Sequence, residues 1–373
     1  MITKPDNNTQ DPCVLPIFST DFNDPLMLTR NQTHYINIMR KLEVIPKRLI
    51  APMFVLFDIT SDCNLRCSYC YNKSGDGNHI YMDRKTIFRI AEELVQMKVF
   101  SVCVCGGEPT LHPDYIDLIR YLREKGILVA SITNGYNLDD EVIKEMAANL
   151  AILQVTLDGP NAEIHDQLRG RGSFEQAMKT IERLKYYNLH QLRIAFTCTS
   201  RNIRYFPEML DLCLQIGAND LRTMQLVPVG RAFRNKKLWA NKNDLEMVKN
   251  QIEAWTKDEK VISKISIEWG SPHEHIKIGL LYGYLLGVNI SPEGYYKISP
   301  YLPIAFGNAY RVTLSSAWRQ GLGMGWNLPK AKEIFESINS VDDYANAYDI
   351  IIKNENLRDG YIDLFREEDD SRK

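Results

Sequence analysis

Between Met53 and Pro228, six short runs of apolar and β-branched residues alternate with helical segments of about 12 residues. Such alternation is typical of βαβ units, whose strands form a parallel sheet. Six units fall short of the eight that close a barrel, so we predict an α/β fold with a partial, open (β/α)6 TIM-like barrel. The predicted strands are Met53–Thr60, Ser101–Cys105, Leu128–Thr133, Ala151–Leu157, Gln191–Ser200 and Leu221–Pro228.

The segments around this core differ in character, and they divide the chain into five parts. Residues 1–50 are predicted to be an N-terminal extension, 51–234 the partial barrel and 235–265 a charged linker helix. Residues 266–330 are predicted to form a small α+β domain, and 331–373 a helical tail with an acidic end. Within the α+β domain, the segment Ile290–Pro300 indicates a β-hairpin that turns at Glu293–Gly294.

Charge and hydropathy exclude several classes of protein. Lys and Arg number 45 against 47 for Asp and Glu, so no excess of positive charge favours a nucleic-acid partner. No apolar run approaches the roughly 20 residues that span a bilayer, and the first residues lack the apolar core of a signal peptide. We therefore expect a cytoplasmic protein with no membrane partner, whose eight cysteines stay reduced.

Three of the eight cysteines stand close together, directly after the first predicted strand. Cys63, Cys67 and Cys70 form a Cys-x3-Cys-x2-Cys pattern. They could be structural thiols or zinc ligands, but a closed zinc site takes four ligands, and no second pair stands nearby at zinc spacing. A four-iron cluster fits better, because three thiolates would leave one iron open to a chelating ligand such as an amino acid.

The pattern Cys-x3-Cys-x-Tyr-Cys, with Tyr69 as its aromatic residue, resembles the radical S-adenosylmethionine (SAM) superfamily. The resemblance covers about residues 53–232. It implies that Cys63, Cys67 and Cys70 hold one [4Fe-4S] cluster, whose fourth iron binds SAM. A reduced cluster of this kind splits SAM into methionine and a 5′-deoxyadenosyl radical, which abstracts hydrogen from a C–H bond of a substrate. The electron would come from a donor such as a flavodoxin or ferredoxin.

Further motifs at predicted strand ends extend this resemblance. Gly106-Gly107-Glu108-Pro109 is similar to the family's GGEP segment, which meets the methionine ammonium; glycines allow close approach, and carbonyls and a carboxylate accept from an ammonium. The segment 133–135 resembles a TNG turn near the ribose, and 156–159 a turn at which SAM is contacted. The residues implied to bind SAM are Tyr69, Gly106, Gly107, Glu108, Pro109, Thr133, Asn134, Thr156, Asp158, Arg169 and Val227, with Arg169 on the SAM carboxylate.

The C-terminal part resembles the subgroup that carries a SPASM or twitch domain, through the segments 227–232, 290–296 and 307–318. In that subgroup, cysteines of this domain bind auxiliary clusters, yet no cysteine follows Cys213 here. Ser299 stands where one ligand is expected, and Leu280 or Leu281 where another is, and neither type replaces a thiolate. We predict the shell of that domain without clusters, filled by the aromatic residues Tyr282, Tyr284, Tyr295, Tyr296 and Trp318.

Three functions remain open. The first is radical chemistry on a ribosomally made peptide, forming a cross-link or epimerising a residue, with any leader-peptide-binding domain supplied by a separate protein. The second is the same chemistry on a small metabolite such as a sugar, nucleoside or amino-acid derivative. The third is a non-catalytic iron–sulfur or zinc protein. Cys105 and Cys198 lie near strand ends and either return a hydrogen atom to a substrate radical or act as small buried hydrophobic residues.

Overall fold

Six parallel strands alternate with helices over residues 54–225 in the computed structural model, which describes residues 48–365 apart from 78, 354–356 and 358. All six predicted strands are present, with ends that differ from the prediction by at most three residues. They are β1 (Phe54–Thr60), β2 (Ser101–Gly106), β3 (Leu128–Thr133), β4 (Ile152–Thr156), β5 (Leu192–Cys198) and β6 (Asp220–Gln225). The helices are α1 (Arg84–Gln96), α2 (Tyr115–Glu124), α3 (Asp140–Asn149), α4 (Ala162–Arg169), α5 (Ser173–Tyr186) and α6 (Phe206–Ile216).

Local sequence explains where these helices begin and end. Asp83 precedes α1, and its side chain accepts a hydrogen bond from the Thr86 amide at 3.0 Å. This satisfies one of the amides that have no partner in the first helical turn. The apolar residues of α1 recur at helical spacing, so that one face of the helix packs into the core. At the other end of the series, α6 stops at Gly217, which adopts the left-handed conformation with φ 69°.

The rest of the described chain adds five strands and seven helices. They are α7 (Arg231–Arg234), α8 (Lys242–Trp255), α9 (Glu259–Ile262), β7 (Ser266–Gly270), α10 (Pro272–Tyr282), β8 (Gly287–Ile290), β9 (Tyr295–Lys297), β10 (Ile304–Asn308), α11 (Leu314–Gln320), α12 (Pro329–Glu336), α13 (Asp343–Ile352) and β11 (Ile362–Asp363). Single 3-10 turns occupy Pro109–Leu111, Ile203–Tyr205 and Lys236–Leu238, and a longer one Leu322–Asn327. The predicted hairpin is confirmed, because β8 and β9 pair antiparallel. No described helix has the length and apolar character needed to cross a bilayer.

One sheet contains all eleven described strands, in the order β11-β10-β9-β8-β1-β2-β3-β4-β5-β6-β7. The strands from β1 to β7 run parallel, and β8 pairs parallel with the free edge of β1. This mixed α/β architecture with its large parallel sheet confirms the predicted fold class. The sequence pattern indicated six parallel strands, whereas β7 and β8 continue the parallel sheet on both sides of them.

The parallel strands have two different faces. One face packs against the helices and is apolar, as shown by Val55, Phe57, Phe196 and other fully buried side chains of one core cluster. The opposite face, which we call the inner face, carries alternate residues that are more polar and often only half-buried. Asp58, Cys103, Gln154, Thr156, Arg193, Thr197, Arg222 and Glu268 belong to it.

Aromatic residues fill the C-terminal part, as the sequence predicted for most of them. Tyr284, Tyr295, Tyr296 and Trp318 are at most 4 % exposed, and Tyr282 is half-buried. Ser299 is also buried, and its hydroxyl accepts from the Tyr301 amide at 3.3 Å. The large ring of Trp326 packs where Gly279 leaves room, since a Cβ at that position would lie 2.3 Å from the indole. The predictions for residues 1–47, for Cys13 and for the acidic end of the tail fall outside the described residues.

Candidate active site

The loop after β1 carries three free thiols at the carboxyl edge of the parallel sheet. Cys67 is buried, and Cys63 and Cys70 are half-buried. Burial is the main reason why the pKa of Cys63 rises to about 12, and the neighbouring thiols of Cys67 and Cys70 also raise it. All three thiols thus belong to one short loop at this edge of the sheet. We call residues 61–72 the cysteine loop.

The donor atoms of the cysteine loop fit the cluster that the sequence implies. All three donors are thiols, which are the usual ligands of iron–sulfur clusters, and each is free of disulfides. Over the described ranges, no three His, Cys, Asp or Glu side chains approach closely enough to hold one metal ion. Three thiols on a single short loop fit a cluster that has one ligand position left over. A zinc site would require a fourth protein ligand or a water.

Gly107 brings the GGEP turn into backbone contact with the cysteine loop. The amides of Gly107 and Glu108 donate to the carbonyl oxygens of Thr60 and Asp62, both at 2.7 Å. A Cβ at Gly107 would lie only 2.0 Å from the Asp62 oxygen. A larger residue cannot occupy this position without displacing one of the two turns.

On the other side, the segment after β6 holds the same loop. Gly230 has φ 59°, and a Cβ there would lie 2.2 Å from the carbonyl oxygen of Tyr71. Arg231 donates from its amide to Cys70 O at 3.0 Å and from Nε to Cys67 O at 2.7 Å. Its Nη2 donates to Ser74 O at 2.9 Å. The sequence marked this segment only by its resemblance, and did not indicate that Arg231 would bind the cysteine loop.

Glu108 joins two of the predicted motifs. Its side chain is fully buried and accepts from Thr110 Oγ1 at 2.7 Å, from Thr133 Oγ1 at 2.8 Å and from the Asn134 amide at 2.8 Å. Burial raises the pKa of this carboxyl, while the hydrogen bonds lower it. Glu108 therefore ties the turn after β3 to the turn after β2, a structural role that the motif did not reveal.

Asn134 lies beside the first cysteine. Its side-chain Nδ2 is 3.7 Å from Cys63 Sγ and donates to Asn64 Oδ1 at 2.8 Å. Asn64 in turn donates to the carbonyl oxygen of Tyr136 at 3.0 Å. The predicted TNG turn and the cysteine loop are thus in direct contact.

Asp158, Arg169 and Tyr69 form one buried cluster. Asp158 Oδ2 accepts hydrogen bonds from Arg169 Nε and from the Tyr69 hydroxyl, and Arg169 Nη2 donates to the Tyr69 oxygen at 2.7 Å. The side chains of Arg169 and Asp158 are 9 % and 0 % exposed. A buried guanidinium needs such a partner, because an unpaired charge in the interior is costly. Tyr69 of the cysteine loop, Asp158 and Arg169 were all predicted to bind SAM, and they are in direct contact with one another.

The motif around Arg169 runs from His165 to Phe174, and its other residues have local structural roles. His165 Nδ1 accepts from the Asp158 amide at 3.1 Å, and burial lowers the pKa of this imidazole to about 4. Asp166 accepts from the amides of Gly172 and Phe174 at 2.6 and 2.9 Å, at the start of α5. The motif thus positions Arg169 by fixing the turns on both sides of α4.

Three further predicted residues lie at the same edge of the sheet. Thr156 ends β4 on the inner face and is 8 % exposed. Pro109 starts the 3-10 turn after the GGEP glycines. Val227 is buried in the main core cluster, and its carbonyl accepts from the Val229 amide at 2.8 Å.

The two cysteines considered as hydrogen donors differ. Cys198 is fully buried in the core cluster, on the face that packs against helices. It therefore fits the alternative of a small hydrophobic residue. Cys105 is on the inner face opposite Asp58 in the β1–β2 pairing, is 8 % exposed, and donates to Cys103 O at 3.4 Å.

Comparison with known proteins agrees with this geometry. Residues 57–213 match the family model described as the Radical SAM superfamily. The mycofactocin maturase MftC of Mycobacterium tuberculosis is 30% identical over 260 residues, which are 69% of this chain and 64% of that protein. The match thus spans less than two thirds of the relative's length.

Solved structures show the same fold at low sequence identity. SuiB of Streptococcus suis bound to S-adenosylmethionine has a TM-score of 0.60 and 16% identity, covering 87% of this chain and 75% of that one. SuiB was also solved bound to the precursor peptide SuiA. The protein anSMEcpe with bound AdoMet has a TM-score of 0.60 and 18% identity, covering 77% of this chain and 85% of that one. The part of the chain that carries these motifs, residues 57–213, is thus similar in sequence to the radical SAM superfamily.

Proposed function

We propose that this protein uses SAM to generate a 5′-deoxyadenosyl radical, which abstracts hydrogen from a C–H bond of a ribosomally made peptide and so leads to a cross-link or an epimerised residue. The observation that supports it best is the set of three free thiols on one loop, held by three other motifs at the carboxyl edge of the sheet. The peptide is favoured because the similar protein MftC is a maturase and SuiB binds a precursor peptide.

In this proposal, Cys63, Cys67 and Cys70 hold one [4Fe-4S] cluster, the group whose family chemistry is one-electron cleavage of SAM. Arg231 fixes the loop through the carbonyls of Cys67 and Cys70. These hydrogen bonds of Arg231 hold the loop through its backbone and do not involve the thiols. The thiols remain available as ligands.

Arg169 is the proposed partner of the SAM carboxylate. A guanidinium has five N–H donors in a fixed plane. Arg169 uses one on Asp158 and one on Tyr69, which leaves three for a carboxylate. The contacts with Asp158 and Tyr69 hold the plane in one orientation, so that a bidentate pair would form without much loss of side-chain entropy.

The SAM ammonium is assigned to backbone carbonyls of the GGEP turn. The Glu108 carboxylate accepts from three residues and is fully buried, so it has little capacity to take a further donor. Its role is to hold Thr133 and Asn134 beside the turn. Asn134 and Thr156 are proposed to lie along the ribose side.

The inner face is the proposed substrate side. Tyr71, which directly follows Cys70, packs edge-on against Tyr301 of the C-terminal part, with ring centroids 5.4 Å apart. Tyr71 is 38 % exposed and Tyr301 is half-buried. These rings would keep bulk water away from a reactive radical, and a flavodoxin or ferredoxin would supply the electron.

The test is formation of 5′-deoxyadenosine by the anaerobically reconstituted protein with SAM and a chemical reductant. We expect product from the wild type, and none from a variant with Ala at Cys63, Cys67 and Cys70. Cys213→Ala is the matched control, since Cys213 is a fully buried core residue of α6 and its loss should leave SAM cleavage intact. Product from the triple variant would refute the proposal. If a precursor peptide, but not sugars or nucleosides, stimulates the formation of 5′-deoxyadenosine, the result favours a peptide substrate over the small-metabolite alternative.

A further inference from the structure

Cross-strand pairing places four residues in one row of the inner face. Thr156 of β4 is paired with Ala195 of β5, Ala195 with Arg222 of β6, and Arg222 with Glu268 of β7. Neighbouring strands lie about 4.8 Å apart, so the backbones at Thr156 and Arg222 are about 10 Å apart. Arg222 is therefore level with the proposed SAM site and one small side chain away from it.

Arg222 differs from the other arginines of this region in having no direct partner. Arg169 is paired with Asp158, Arg193 lies 3.4 Å from Asp220, and Arg231 binds backbone carbonyls. Within the described residues, no carboxylate comes within 4.0 Å of the Arg222 guanidinium, and its buried Nε has no hydrogen-bond partner. Arg222 as a whole is half-buried, and a partly desolvated charge without a direct partner is unfavourable, so its guanidinium is available to an anion.

The charges around Arg222 define what kind of anion fits. Glu268 is its neighbour in the row, Asp220 is nearby but already contacts Arg193, and Tyr301 of the C-terminal part interacts with it electrostatically. The neighbouring carboxylates keep the pKa of Arg222 raised despite its burial. A planar, singly charged group is the best match, because a guanidinium binds a carboxylate through two parallel hydrogen bonds. A group of higher charge would be repelled by Glu268.

We infer that Arg222 binds a carboxylate of the substrate, either an acidic side chain or the C-terminal carboxylate of a peptide, and so positions the substrate next to the SAM site. This inference rests on the proposed function for the identity of the substrate. Glu268 competes for the same guanidinium, and it should weaken binding of the substrate anion.

The test is a calorimetric titration of the anaerobic holoenzyme, saturated with SAM and without reductant, so that the Arg169 site is filled and no turnover occurs. The probes are N-acetylglutamate α-amide for a side-chain carboxylate and N-acetylglycine for a terminal one. N-acetylglutamine amide is the neutral control. We expect one of the two carboxylates to bind at least tenfold more tightly than the neutral amide.

In Arg222→Met, we expect this preference to fall by about tenfold or more, as for loss of a charged hydrogen bond. Glu268→Gln should tighten carboxylate binding a few-fold, and Arg319→Met, at an exposed position of α11, should change nothing. Thermal unfolding of each variant identifies a folding defect. Equal affinity for the charged and neutral probes, or equal carboxylate affinity in the wild type and Arg222→Met, would overturn the inference. Since no SAM cleavage is measured, a failure of the proposed function would leave this result unaffected.

Discussion

Replacement of Arg231 by methionine should both destabilise the protein and loosen the cysteine loop. The substitution keeps an apolar stem of similar length and removes the donors from Nε to Cys67 O and from Nη2 to Ser74 O. Hydrogen bonds from a charged donor contribute about 1.5–3 kcal/mol each. Arg231 is 15 % exposed, so water can replace part of what is lost, and we take the lower end of the range for both bonds.

The expected loss is about 3 kcal/mol in the free energy of unfolding, measured by urea denaturation of the cluster-free chain. The ion pair between Arg231 Nη1 and Asp76, 2.9 Å apart without hydrogen-bond geometry, adds less than about 1 kcal/mol, because Asp76 is 32 % exposed. After reconstitution, the variant should also keep less iron through gel filtration than the wild type.

Arg66→Met is the matched control, since Arg66 pairs with the same Asp76 at 2.6 Å but is 72 % exposed. Its unfolding free energy should stay within about 1 kcal/mol of the wild type. If Arg231→Met were no less stable than Arg66→Met, the claim that Arg231 fixes the cysteine loop would be wrong.

Three further substitutions test other parts of the site. Gly230→Ala places a Cβ 2.2 Å from a backbone oxygen of the cysteine loop, so the variant should retain less iron than the wild type. Gly126→Ala is its control, because the new Cβ meets open space there at a similar positive φ. Equal iron retention in the two variants would count against the packing argument. Asp158→Asn leaves the Arg169 guanidinium buried without its charge partner, so the free energy of unfolding, measured by urea denaturation, should fall by about 3 kcal/mol or more. A fall of less than about 1 kcal/mol would contradict this expectation. Burial is the main reason why the pKa of Asp220 is raised to about 6, so the folded protein binds a proton at this carboxyl more tightly than the unfolded chain does. Relative to Asp220→Asn, the free energy of unfolding of the wild type should therefore fall by about 3 kcal/mol as the pH rises from below 3.8 to above 6. A difference between the two proteins that does not change with pH would be inconsistent with this expectation.

Local sequence signals predicted the strands and the loop well. Leu128–Thr133 was predicted with its observed ends, because strand ends depend on residues adjacent in the chain, as does the cap that Asp83 provides to α1. The cysteine spacing located the loop for the same reason. Contacts between distant segments left no such signal: Arg231 meets Cys67 across 164 positions, and β8 joins β1 only through the folded sheet.

The roles of individual side chains were harder to predict than their location. Glu108 was expected to face an ammonium, yet burial and three hydrogen-bonding neighbours make it a link between turns. Arg222 stood in an ordinary strand pattern, and only the register of β4 to β7 places it on the inner face beside Thr156. A motif fixes the position of a residue along the chain, whereas its partners depend on which strands become neighbours.

Iron and acid-labile sulfide per chain, counted after anaerobic reconstitution, test most directly whether the cysteine loop holds a single cluster. About four of each in the wild type, with almost none when Cys63, Cys67 and Cys70 are all alanine, is the predicted result. About eight irons and eight sulfides per chain would contradict it, and so would one zinc per chain that is still bound in the triple variant.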